Sequence, residues 1–180
     1  MLISRFGNCS DKEINKLEEK IGIRLPDLYK DFLIRYNGGD TPKTKVKIGK
    51  TSTNVRGFYG LGNVSMSFEE IDLNEWHDRK MLPIAEDSFG NYFSIDSNGK
   101  IYFCDHEKGY SSVSVADDLK KFILRCKSDE ISETAKKTVE EREAYMISKG
   151  RGHFVTDGLK KMWQDEYDKY SKMVQEEVKI

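Results

Sequence analysis

The sequence predicts an α+β fold class, and three stretches carry that reading. A short helix is written between Leu25 and Gly39, a run with period-two alternation follows at Lys43-Thr44-Lys45-Val46-Lys47-Ile48, and two aromatic-rich, strand-like runs between Asn91 and Glu107 are separated by Asp96-Ser97-Asn98-Gly99. A chain of 180 residues is long enough for one main domain that buries roughly 70% of its unfolded surface.

Composition excludes several classes. Thirty basic residues stand against 31 acidic ones, so the charge excess of a dedicated nucleic-acid binder is absent. The start, Met1 to Cys9, lacks the basic and apolar regions of a signal peptide, and no later run approaches membrane length, so the expected location is the cytoplasm. Cys9, Cys104 and Cys126 are odd in number, scattered and without Cys-x-x-Cys spacing, which predicts reduced thiols rather than disulfides or a zinc site.

In chain order, Ser10-Asp11-Lys12-Glu13 has capping-box spacing and predicts a first helix with Ile14, Leu17 and Ile21 on its apolar face and Gly22 at its end. In the second helix Pro26 fits the first helical position, and Asn37, Gly38 and Gly39 tolerate a left-handed stop. Leu28, Tyr29, Phe32, Leu33 and Tyr36 form its apolar stripe. The lysine-bearing run 43–48 predicts an exposed edge strand, where charge discourages unwanted pairing. Gly57 to Gly62 lacks the spacing of a phosphate-binding loop and reads as a strand ending in a turn. Ser67-Phe68-Glu69-Glu70 repeats the capping-box spacing and predicts a short acidic helix through Trp76 to Asp78. Leu82 to Asp87 leads into the 91–107 hairpin, and Ser114 is the expected cap of a last helix with Leu119, Phe122, Ile123 and Cys126 on one face.

Leu25-Pro26, then Tyr29-x-x-Phe32-Leu33, then Asn37-Gly38-Gly39 resembles the signature of the SUKH superfamily, which includes the yeast cell-wall-assembly regulator and many bacterial toxin-immunity proteins. Leu82-Pro83-Ile84 before an acidic, glycine-containing loop, the hairpin strand ending at Asp96, and Val115 to Ile123 follow the family's order. The resemblance spans about Ser10 to Lys127. The chain departs from the pattern at Ser88-Phe89-Gly90, where the family often has consecutive glycines, and at Ala116-Asp117-Asp118-Leu119, where it often has Ala-x-Ser-Phe. The resemblance implies a mainly antiparallel sheet packed by N-terminal and closing helices over 1–127.

Residues 128–180 predict a helical C-terminal extension packed on the same domain. Ile131 to Lys149 has helix-forming composition, and a further helix starts near Thr156 or Asp157 with Leu159, Met162, Trp163, Tyr167, Tyr170, Val174 and Val178 at helical spacing. Its charges are too balanced for a membrane-surface helix.

No residue pattern announces a reaction. Cys104 and His106 share a strand face, but no third group or oxyanion site accompanies them, so no catalytic residues are assigned. Asp87, Asp96, Asp105 and Glu107 match no calcium loop, and His77 and His153 lack ligand partners at diagnostic spacing, so no metal or cofactor is expected. The resemblance then implies protein recognition: an immunity protein that binds and neutralises a cognate bacterial toxin, often a nuclease, or alternatively a regulatory scaffold like the yeast relative. The candidate partner surface is Glu69, Glu70, Asp72 and Glu75 with Trp76 as aromatic anchor, together with Glu86, Asp87, Asp105 and Glu107. Such a surface suits a basic protein partner, since complementary potential speeds encounter and a buried aromatic supplies affinity.

Overall fold

Asn37 shows why the second helix ends where it does. Its backbone is left-handed at φ 48°, and its side chain exchanges two hydrogen bonds with Leu61, accepting from the N–H at 2.8 Å and donating to the carbonyl at 3.0 Å. A Cβ on the neighbouring Gly38 would meet the Phe58 and Tyr59 carbonyl oxygens at 2.5 and 2.6 Å, and one on Gly60 would meet the Asn37 carbonyl at 2.1 Å. Asn-Gly-Gly is therefore both a helix stop and the place where that helix abuts the end of a strand.

The computed structural model describes all of Met1–Ile180. In chain order its elements are β1 (Leu2–Arg5), α1 (Asp11–Ile21), α2 (Asp27–Tyr36), β2 (Gly39–Ile48), β3 (Thr51–Phe58), α3 (Leu73–His77), β4 (Met81–Glu86), β5 (Tyr92–Asp96), β6 (Ile101–Asp105), β7 (Ser111–Ala116), α4 (Leu119–Arg125), β8 (Lys127–Ser128), α5 (Val139–Ser148), α6 (Asp157–Tyr170) and β9 (Glu176–Glu177). Single-turn 3-10 helices lie at Phe68–Glu70, His106–Lys108, Glu133–Lys136 and Gly152–Phe154. Contacts divide the chain into two compact units, Met1–Asp129 with Glu176–Ile180, and Glu130–Gln175. The division expected at 127 thus falls two residues later, and the last five residues belong to the first unit.

In the first unit the strands form one antiparallel sheet in the order β7-β6-β5-β4-β3-β2-β1-β9, with β8 beside β2. Tyr29, Phe32, Leu33 and Tyr36 of α2 are buried, as the stripe predicts, while Leu28 is only partly covered. Rings link α2 to α4 through the sheet: Phe32 to Phe58 at 5.1 Å, Phe58 to Phe122 at 6.2 Å, and Phe122 to Phe93 at 5.0 Å between centroids. The capping box at Ser10 and Glu13 forms as expected.

Four expectations need correction. The lysine-bearing strand is not an edge, because β2 pairs with β3 on one side and with β1 and β8 on the other; Lys43, Lys45 and Lys47 alternate outward while Thr44 and Val46 are buried. Ser114 does not cap α4, because it is paired with Tyr102 inside β7; Asp118 caps the helix instead, accepting from the Lys121 N–H at 2.6 Å. The acidic helix from Ser67 to Asp78 is broken in two, with the buried Ile71 extended between the pieces and Asp72 capping α3. The helical stretch 131–149 likewise divides into a 3-10 turn and α5, each with its own cap, Ser132 and Thr138.

In the second unit Trp163 and Tyr170 of α6 are buried, but Met162 is 52% exposed and α6 ends at Tyr170, so the long stripe is interrupted. Val174 lies beyond the helix and is exposed, and Val178 belongs to the first unit, where its N–H donates to the Met1 carbonyl at 3.0 Å. The unit is closed by Ile131 and Gln175, joined by two hydrogen bonds at 2.8 and 3.2 Å.

Candidate partner-binding surface

The acids singled out in the sequence divide by what holds them. Glu69 and Glu70 on the 3-10 turn 68–70, and Asp72 and Glu75 around α3, are exposed. Glu75 faces Arg79 at 3.9 Å, and Asp72 accepts from the Asn74 N–H at 3.1 Å. Glu86 is half-buried and committed inside the fold, paired to Arg56 at 2.5 Å and accepting from the Tyr59 hydroxyl. Burial, reinforced by that carboxylate, holds the Tyr59 phenol well above its ordinary range. Asp105 is tied to Lys108 at 2.7 Å and caps the following turn through the Glu107 N–H at 3.1 Å. The Lys108 hydrogen bond holds the Asp105 carboxyl below its usual range. Glu107 is exposed and carries no such pairing.

Two expected surface residues are interior. Trp76 is 1% exposed, because Tyr92 and Tyr110 pack its ring at 5.4 and 5.2 Å and Arg79 covers it at 5.7 Å. It cannot be the exposed anchor. Asp87, also 1% exposed, accepts from Thr53 Oγ1 at 2.7 Å and from the Phe89 N–H, the Asn91 N–H and Asn91 Nδ2, each at 2.9 Å. Four donors around one buried carboxylate make it the internal frame of loop 87–91 rather than a contact residue.

That frame presents what the sequence reading overlooked. Phe89, at the loop tip, is 68% exposed. The loop beneath it is braced further, since Asn54 and Ser88 exchange hydrogen bonds at 2.7 and 2.9 Å, and Asn91 Oδ1 accepts from the His106 N–H at 3.0 Å. A large apolar side chain on a rigid, hydrogen-bonded loop is pre-organised for contact. The signal was present in the sequence, because Phe89 stands where a turn needs only small residues.

The two groups of acids meet around one set of rings. Phe68, between Ser67 and Glu69, lies 5.8 Å from Tyr59, which lies 6.2 Å from Tyr92, which lies 5.6 Å from Tyr110. Burial chiefly raises the Tyr92 phenol, with the charges of Glu86 and Glu75 adding to it from either side. Glu75 and Glu86 therefore flank the same ring, and Asn91 carries the connection on to His106 and Glu107. Arg79 clamps the far end, donating to the carbonyls of Gly109 and Tyr110 at 3.0 and 3.4 Å, where Tyr110 is held left-handed at φ 58°.

The thiol chemistry weighed above has no site. Cys104 is fully buried and donates to Ser94 Oγ at 3.6 Å, while His106 lies in the exposed 3-10 turn beyond the strand. Burial raises the Cys104 thiol and pushes Cys126 up to about 12, the reverse of what activates a nucleophile.

An antiparallel sheet covered by α2 and α4, with a braced aromatic loop and flanking acids, defines a recognition module. The chain belongs to the SMI1 / KNR4 family (SUKH-1), whose model matches residues 8–125. That family is of the immunity and regulatory type, generally non-enzymatic, and acts through protein partners. The chain is also 31% identical over 140 residues to an SPbeta prophage-derived uncharacterized protein, YokK, of Bacillus subtilis (strain 168), a match covering 64% of this chain and 73% of the relative. No solved structure matches. No helix is long and apolar enough to cross a membrane.

Proposed function

We propose that this chain is an immunity protein that binds a cognate bacterial toxin, a basic protein of the nuclease kind, and blocks its active site or substrate path. The observation that carries the choice of surface is Phe89, 68% exposed on a loop whose backbone is fixed by the buried Asp87. Immunity requires tight binding at low concentration, on the order of 12 kcal/mol, across an interface of roughly 1,600 Å². Phe89 supplies an apolar anchor, while Glu69, Glu70, Asp72 and Glu107 supply negative potential that steers a basic partner. Family membership and a prophage-derived relative support the reading. The work is done in the cytoplasm, by occlusion and without turnover.

The direct test is kinetic titration of the purified chain against the toxin encoded beside its gene. Nanomolar binding with loss of toxin activity at one-to-one stoichiometry is the expected result. Binding to signalling proteins, with no toxin gene adjacent, would instead favour a regulatory scaffold.

A further inference from the structure

The second unit holds a pocket of about 340 Å³ lined by Thr134, Lys137, Arg142, Tyr145, Met146 and Trp163. Three of these walls are largely apolar, and Thr134 and Lys137 are exposed. Arg142, the lining cation, is 5% exposed and projects from the first turns of α5. One of its nitrogens, Nη1, donates to Glu166 at 2.8 Å, and the guanidinium lies 5.8 Å from the centre of the Trp163 ring. Its Nε and Nη2 are shielded from solvent and have no hydrogen-bond partner.

Such an arrangement calls for an acceptor. Buried guanidinium donors are normally satisfied, because stranding them forfeits hydration without return. Glu166 uses one donor direction and balances one charge; Lys137 at the pocket leaves the site with a positive excess and two unused guanidinium donors on Arg142. A carboxylate matches that fork, and the ring, thioether and phenol walls match an apolar group beside it.

We propose that this pocket receives an acidic side chain of a partner polypeptide, flanked by an aromatic or aliphatic residue. A polypeptide rather than a small metabolite fits the surroundings, since Tyr145, Ile147 and Met162 on α5 and α6 are each more than half exposed and extend the apolar surface beyond one small ligand. Tyr145, at 58% exposure, is the wall with room to turn aside and admit the carboxylate to the shielded nitrogens. The site is separate from the Phe89 surface and draws the opposite charge, so the two proposals stand or fall independently.

The test uses the full chain and the peptide acetyl-Gly-Asp-Phe-Gly-amide, its Asp-to-Asn counterpart, and N-acetylphenylalanine as a small carboxylate. The readout is the NMR signal of the Arg142 Nε–H, assigned by its loss in Arg142→Lys. The acidic peptide should bind and move that signal downfield, with the amide counterpart at least roughly tenfold weaker. Lys137→Ala, an exposed change compatible with folding, should weaken binding. Equal binding of N-acetylphenylalanine would make this a small-molecule site and overturn the docking proposal. Absence of any shift with all three ligands would overturn it as well, and this holds whether or not the Arg142 variant folds.

Discussion

Glu18 on α1 accepts the Leu25 backbone N–H at 2.7 Å, and the same oxygen lies 2.7 Å from the Lys30 ammonium on α2. Arg24 reaches its second oxygen at 3.0 Å. A carboxylate only 5% exposed thus fixes the chain entering α2, the helix whose buried rings anchor the first unit. Glu18→Ala strands the Leu25 N–H and should cost about 2 kcal/mol or more, read from the shift of the denaturation midpoint.

The same pair makes stability pH-dependent. Burial pushes the Glu18 carboxyl up, but Lys30, the Leu25 N–H and Arg24 together outweigh it and hold the group below its usual range. A carboxyl lowered on folding contributes stability that is complete above its unfolded pKa and is lost as pH falls through the lower folded value. Melts of wild type and Glu18→Gln from pH 6 to about pH 3 should therefore converge on the acid side.

Trp76 and Phe89 should behave oppositely. Trp76→Ala removes a ring packed by Tyr92, Tyr110 and Arg79 and should cost about 3–5 kcal/mol of stability. Phe89→Ala should leave the melting temperature within a degree or two, since an exposed side chain contributes within about 0.5 kcal/mol. On the binding side it should cost roughly 2 kcal/mol, almost entirely as faster dissociation.

That contrast also marks what sequence reading can reach. Caps are local, so Ser10 with Glu13 and the Asn37-Gly38 stop were legible from a few residues. The burial of Trp76 depends on Tyr92 and Tyr110, which arrive from β5 and the turn before β7, and no periodicity around Trp76 announces them. Ser114 and Asp118 were equal as caps by chemistry, and only the pairing of Ser114 with Tyr102 in β7 decided between them. The edge reading of β2 failed because β8 and β1 reach it from distant parts of the chain. Among the acids, composition placed them but could not tell Asp87, spent on its own loop, from Glu107, which stays exposed.

Charge should act on encounter rather than on the bound state. Reversing Glu69, Glu70 and Asp72 to lysine together should slow association with a basic toxin by about tenfold at low salt. The difference should shrink at 0.5 M salt, where the screening length is roughly 4 Å. Stopped-flow association rates across a salt series measure it.

The thiols should be silent in the folded protein. Cys9, Cys104 and Cys126 are all buried, and burial raises each thiol, to about 11 for Cys9 and about 12 for Cys126. A colorimetric thiol reagent at pH 8 should label the native chain only slowly and titrate three groups at once in denaturant.

Co-expression of the toxin encoded beside this gene, with and without the chain, reaches the central claim most directly. Survival is expected with the wild-type chain. With an Asp87→Ala, Phe89→Ala double variant that still folds, survival should fall as the loop and its anchor are lost together. Continued killing in the presence of well-expressed wild-type chain would contradict the immunity function; full protection by the folded double variant would contradict the loop as its contact surface.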